Sequence, residues 1–193
     1  MKYYFSFDVE SRGILGTPFA VGWVIVDETG KEWGDGYLAV PATFYHSDPT
    51  DQWLIENVAP ALPVLPVKQF LSQNDEVFIG TTGNCERSYH LYERFWSAWE
   101  QAKKLYPGIL MVTDCQFPVE AEFLLRVHRD SEVNLTIENA PYPIIDVSSV
   151  LFAHGHDPIA NYDRKENELP VHHPTNDARQ SVRIMLAALK GDL

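Results

Sequence analysis

Apolar residues crowd the first stretch of the chain, Tyr4-Phe5-Ser6-Phe7-Asp8-Val9-Glu10-Ser11, and their aromatic and β-branched character predicts a strand. A second apolar run, Phe19 to Val26, predicts a buried strand. Asp27-Glu28-Thr29-Gly30-Lys31 has hairpin-turn chemistry, and Glu32 to Val40 reads as a third strand, ended by Pro41. Strands joined by such short turns predict an antiparallel meander.

Beyond Pro41 the pattern changes. Ser47-Asp48-Pro49 has the form of a helix start, with Gln52 to Leu62 following and Trp53, Leu54, Val58 and Leu62 as its apolar side. Pro60, Pro63 and Pro66 keep that region short. Val67 to Leu71 predicts another helical piece, Glu76 to Ile79 a short strand, and Thr81 to Asn84 a loop. Cys85 to Leu105 predicts a long helix on which Tyr89, Tyr92, Phe95, Trp96, Trp99 and Leu105 recur at helical spacing. Such a stripe is expected in the core rather than as a base-stacking platform. Ile109 to Thr113 predicts a short apolar strand with Asp114 at its end, and Phe117-Pro118 opens a helix through Glu120, Phe123, Leu124 and Val127. Tyr142 to Val147 reads as a strand leading into an apolar helix around Val150 to Ala153. A polar loop, His154 to Leu169, precedes the last helix, which runs from Pro174 or Thr175 to Leu189 with Ala178, Val182, Met185, Leu186 and Leu189 available to bury. The expected architecture is α/β: three antiparallel N-terminal strands plus two parallel strands, flanked by helices in one domain over residues 1–193.

Charge narrows the function. The net charge of −12, from 27 acids against 15 bases, argues against coating nucleic acid through a broad basic surface. An enzyme that grips a few phosphates through bound metals stays open, since a carboxylate cluster attracts a polyanion once metal is present. No run reaches the length of a membrane span, so no membrane partner is expected. With no basic-then-apolar leader pattern, and with Cys85 and Cys115 outside any metal-binding spacing, a reduced cytoplasmic setting is expected.

In a strand, Asp8 and Glu10 point to the same face, where their charges repel within a largely apolar segment. A divalent cation removes that repulsion by accepting both carboxylates; a solvent-facing edge strand with two hydrated acids is the competing reading. Further acids stand at element ends: Asp114 with nearby Glu120, Asp146, and Asp177, with His172 five residues before Asp177. Sites in open α/β sheets gather at the carboxyl ends of strands and the helix starts that follow. Asp8, Glu10, Asp177 and one of Asp114 or Glu120 therefore form a candidate cluster suited to two Mg²⁺ or Mn²⁺ ions. A nearby histidine could take the proton of an attacking water. Plain structural roles compete: Asp177 and Glu120 complement helix dipoles, Asp146 caps a helix, and His172 and His173 are exposed loop residues. Arg12, Arg179 and Arg183 are the nearest candidates for phosphate contacts.

Phe7-Asp8-Val9-Glu10-Ser11-Arg12-Gly13 resembles the first motif of the DEDDh 3′–5′ exonucleases, Asp-x-Glu followed by small residues and Gly. His172-His173-Pro174-Thr175-Asn176-Asp177-Ala178 resembles the third motif of that family, and Ile145-Asp146-Val147 its strand ending in Ile-Asp-Thr. The middle motif departs: Glu120 stands three residues before Phe123-Leu124 where the family has Asp, with one extra residue after the strand. The resemblance implies a ribonuclease H-like fold and metal-dependent release of nucleoside monophosphates from 3′ ends of DNA or RNA. Asp8, Glu10, Asp177 and one of Asp114 or Glu120 would hold two Mg²⁺ or Mn²⁺ ions, and His172 would be the general base. Ser11, Arg12 and Gly13 would lie beside the terminal nucleotide of a single-stranded or 3′-end substrate. Motif matching favours Glu120 as third ligand, but the position of Asp114 at the end of a strand expected beside the first makes Asp114 the expected ligand and Glu120 the alternative. A ribonuclease H-like endonuclease, or a non-catalytic module binding nucleic-acid ends or a protein, are the alternative readings.

Overall fold

The computed structural model of the chain describes residues 1–41, 47–63, 81–136 and 138–193. The meander forms as expected: β1 (Tyr3–Ser11), β2 (Pro18–Asp27) and β3 (Glu32–Ala39) pair antiparallel in sequence order. Asp27 shapes the turn after β2. Its Oδ1 accepts the Thr29 hydroxyl at 2.5 Å and the Thr29 N–H at 2.9 Å, and its Oδ2 accepts the Trp33 indole N–H at 2.9 Å. These bonds favour the ionised carboxylate and hold its pKa down at about 2.

Three short strands complete a six-stranded mixed sheet of order β4-β3-β2-β1-β5-β6. β5 (Leu110–Thr113) lies parallel to β1, with Ser6 opposite Val112, and β6 (Ile144–Asp146) lies parallel to β5. β4 (Thr82–Asn84) occupies residues whose sequence predicts a loop; it pairs parallel to β3 at the edge. Thr, Gly and Asn carry no apolar period, so β4 rests on backbone bonds, such as Tyr37 N–H to Thr81 O at 3.0 Å and Cys85 N–H to Ala39 O at 2.6 Å. The expected helical piece at Val67 to Leu71 and strand at Glu76 to Ile79 lie outside the described residues.

The helices are α1 (Pro49–Asn57), α2 (Ser88–Leu105), α3 (Val119–Arg129), α4 (Val147–Ala153) and α5 (Pro174–Lys190). None in the described residues is long and apolar enough to cross a membrane. α1 ends five residues short of the expected Leu62, giving way to a 3₁₀ turn at Ala59–Ala61 where Pro60 cannot donate to a continued helix. Helix α2 starts at Ser88 rather than Cys85. Helix α4 starts directly after β6 because the Asp146 carboxylate accepts the Ser149 N–H at 2.6 Å.

Alternation along β1 divides the core. Phe5, Phe7 and Val9 face α2 and α3, where they pack with Tyr92, Phe95, Trp96, Trp99 and Phe123, so the aromatic stripe of α2 is core. Leu105, at its end, is exposed. Truncating such a buried ring typically costs about 3–5 kcal/mol, so this layer anchors β1. Tyr4 faces the other way, packing with Val24, Val112, Val147 and Leu151 against Val182, Met185 and Leu186 of α5. Leu189, also expected inside, is exposed. Leu54 of α1 and Val58, the residue just after that helix, pack on Phe19, Tyr37 and Ala39 while Trp53 stays half exposed.

Candidate functional site

Asp8 and Glu10 follow Tyr4 and Ser6 on the α5 face of β1, near its carboxyl end. Opposite Asp8 on β2 stands Gly22. A Cβ there would lie 2.2 Å from the backbone nitrogen of Thr175 and 2.6 Å from the Pro174 carbonyl carbon. The missing side chain thus lets the start of α5 sit directly on the sheet. The Thr175 hydroxyl secures it by donating to Gly36 O at 2.8 Å. Asp177, in the first turn of α5, is thereby set over β1.

The chain before α5 brings in His172. Its backbone N–H donates to Asp177 Oδ2 at 3.0 Å, and its φ of 64° lies in the left-handed region that non-glycine residues seldom occupy. Holding a non-glycine residue there costs of order 1–3 kcal/mol, so the surroundings over-determine this loop. The imidazole Nδ1 stands 3.9 Å from Glu10 Oε1. Glu10, His172 and Asp177 each offer a ligand atom, all within 4.8 Å of one another. His173 turns away: its ring packs on Tyr37 at 5.0 Å between centroids, and burial lowers its pKa.

The two contenders for a third acid differ in position. Glu120, in the first turn of α3, is buried and accepts the N–H of Val9, between Asp8 and Glu10. Asp114 follows β5 and is exposed at the rim. Although the residue is exposed, its carboxyl sits among the other acids: burial, then Asp146 and Asp177, raise its pKa, and Arg164 opposes them. Asp146 itself caps α4 and also accepts the Gln116 N–H at 2.8 Å, bracing the turn after β5.

These acids are mutually strained. Burial, then Asp177, Glu120, Glu10 and Asp114 in that order, raise the pKa of Asp8 well above the usual carboxylate range. Burial with repulsion from Asp177 and Glu120 pushes Glu10 up to about 8. Glu120 is also pushed up to about 8, chiefly by burial, against the pull of backbone N–H donors. Asp177 is raised by burial although Arg164 counters it: Nη1 of Arg164 reaches Asp177 Oδ1 at 2.5 Å and Glu168 O at 3.0 Å. Hard carboxylate oxygens with one imidazole, partly buried and under-neutralised, suit a divalent cation such as Mg²⁺ or Mn²⁺. Asp8, Glu10, Asp177, Glu120 and His172 are the residues that could hold it.

Ser11, Arg12 and Gly13 form a tight turn beside this cluster, with Gly13 N–H on Ser11 O at 2.9 Å and the Ser11 hydroxyl on Gly13 O at 2.7 Å. The Arg12 guanidinium is engaged: Nε and Nη2 each lie 2.6 Å from the carboxylate of Asp51 on α1. Arg179 pairs with Glu32 and Asp35, and Arg183 with Glu168. All of the arginines considered for phosphate contacts therefore carry internal ion pairs.

Sequence reasoning missed Arg164, placed in a loop read only as polar, and the part played by Gly22, although a lone glycine inside an apolar strand signals close backbone approach. No protein-family model matches this chain, and no curated protein sequence matches it.

Proposed function

We propose that this protein is a metal-dependent 3′–5′ exonuclease of the DEDDh type with a ribonuclease H-like fold, acting on single-stranded or 3′-terminal DNA or RNA. The observation that carries the reading is the convergence of Glu10, His172 and Asp177 within 4.8 Å beside Asp8 and Glu120, from three separate parts of the chain. The sheet supports the fold assignment, with its antiparallel β1–β3 and parallel β5 and β6. The ordered motifs support 3′-end hydrolysis rather than internal cleavage.

Asp8, Glu10, Asp177 and Glu120 would hold two Mg²⁺ or Mn²⁺ ions, with Asp114 as an outer acid. When bound, such ions stabilise the attacking and leaving oxygens of an in-line phosphoryl displacement. The protein's own groups do the rest. Beyond burial, Asp177 and Glu120 crowd Asp8 and Glu10 and raise their pKa values, a repulsion that a bound cation would relieve. His172 receives the proton of the attacking water; with Nδ1 turned towards Glu10, Nε2 is the ring nitrogen left for that transfer.

The test uses 5′-labelled single-stranded DNA and RNA with Mg²⁺, Mn²⁺ or EDTA. Stepwise shortening from the 3′ end, releasing mononucleotides and abolished by EDTA, is the expected result. Internal fragments would replace the exonuclease by an endonuclease, and no metal-dependent cleavage of either substrate would remove the nuclease reading.

A further inference from the structure

The imidazole of His172 makes no hydrogen bond among the described residues, and its 3.9 Å approach to Glu10 Oε1 is longer than one. Its backbone is pinned by Asp177, but that leaves the ring torsions free. What touches the ring is Trp53 of α1, at 5.3 Å between centroids and 78° between planes, a favourable perpendicular aromatic packing. α1 is in turn fastened to the end of β1. The Arg12 fork grips Asp51, whose side chain is fully buried, and Asp48 caps the helix by accepting the Thr50 N–H at 2.9 Å. Arg12 lies two residues beyond Glu10, so one short path runs from Glu10 through Arg12 and Asp51 to Trp53, and back through His172 to Glu10.

We propose that Trp53 is a positioning residue: α1, tied down by Arg12, holds the indole against His172 and keeps the imidazole turned towards Glu10. The catalytic consequence rests on the nuclease reading above; the contact itself does not. A base that loses its orientation loses rate without losing substrate affinity, and small misplacements of a catalytic group reduce rate by about 10²-fold. This also gives Arg12 a task other than a phosphate contact.

Trp53→Ala and Trp53→Phe separate the possibilities, because Trp53 is half exposed and neither change empties the core. In Trp53→Ala, kcat should fall by about 10²-fold with KM and Mn²⁺ affinity unchanged, and Trp53→Phe should restore most of it. In parallel, histidine-labelled protein gives imidazole resonances, with that of His172 assigned by its loss in His172→Gln. That resonance should move in Trp53→Ala and move less in Trp53→Phe. If the wild type cleaves nothing, the nuclease reading fails and the spectra alone decide the contact. An unmoved His172 resonance in Trp53→Ala overturns the proposal. So does an unchanged kcat, or a raised KM at constant kcat, which would make Trp53 a substrate contact.

Discussion

Gly22 on β2 and Thr175 on α5 meet so closely that a Cβ on the glycine would lie 2.2 Å from the Thr175 backbone nitrogen. Neither partner is a flexible side-chain tip, so the helix itself must shift when that volume is filled. Gly22→Ala should destabilise the protein by about 1–3 kcal/mol, typical of overpacking. Asp177 rides on the same helix turn, so the variant should also lose Mn²⁺ affinity by more than a change at the far end of α5 of equal stability effect. Thermal melts with calorimetric Mn²⁺ titration check both.

The acid cluster makes stability depend on pH in a direction opposite to most carboxylates. Glu10 and Glu120 titrate at about 8 in the folded chain, above their ordinary value, so the native state binds more protons than the unfolded one. Stability of the metal-free protein should therefore fall as pH rises from about 4.3, the unfolded glutamate value, towards 8. Asp27, held down at about 2, acts the other way: its contribution is present above the unfolded aspartate value and lost as pH falls through about 2. Melting temperatures in EDTA should peak on the acidic side of neutrality. Mn²⁺ should reverse the slope at neutral pH, since it binds the ionised form and releases protons. A metal-free melting temperature that climbs from pH 5 to 8 would contradict this.

Glu120 and Asp114 separate through isosteric variants. Glu120→Gln keeps an acceptor for the Val9 N–H but removes a charge facing Asp8, so its metal-free melting temperature at pH 8 should match or exceed that of the parent. Its Mn²⁺ stoichiometry and cleavage should drop. Asp114→Asn, at the exposed rim, should keep metal binding with a smaller loss of rate. The opposite assignment of losses would make Asp114 the ligand.

His172 and His173 should differ in kind. His172→Ala should lower the cleavage rate by about 10²–10⁴-fold with little change in melting temperature. His173→Ala removes the ring packed on Tyr37 and should cost about 0.5–1.5 kcal/mol of stability beyond the lost burial, with far less effect on rate. Rates measured beside melts on the same preparations decide it.

Much of this was legible from residue order because it depends on local periods. Two-residue alternation sends Phe5, Phe7 and Val9 one way and Asp8 and Glu10 the other whatever surrounds them, and Pro174 marks the start of α5 by its own geometry. The hairpin turn at Asp27 and the cap at Asp146 are equally short-range, closing over two to six residues. The relative placement of Glu120 and Asp114 was not, because it turns on where α3 packs. Register alone sets Asp114 level with Asp8 on the next strand, yet the packing of Phe123 against Phe7 carries Glu120 onto the Val9 N–H and leaves Asp114 at the rim. Arg164 reaches Asp177 across thirteen residues, and Arg12 reaches Asp51 across thirty-nine. Such pairings carry no period or spacing, since a long side chain takes whichever opposite charge the folded backbone brings within reach.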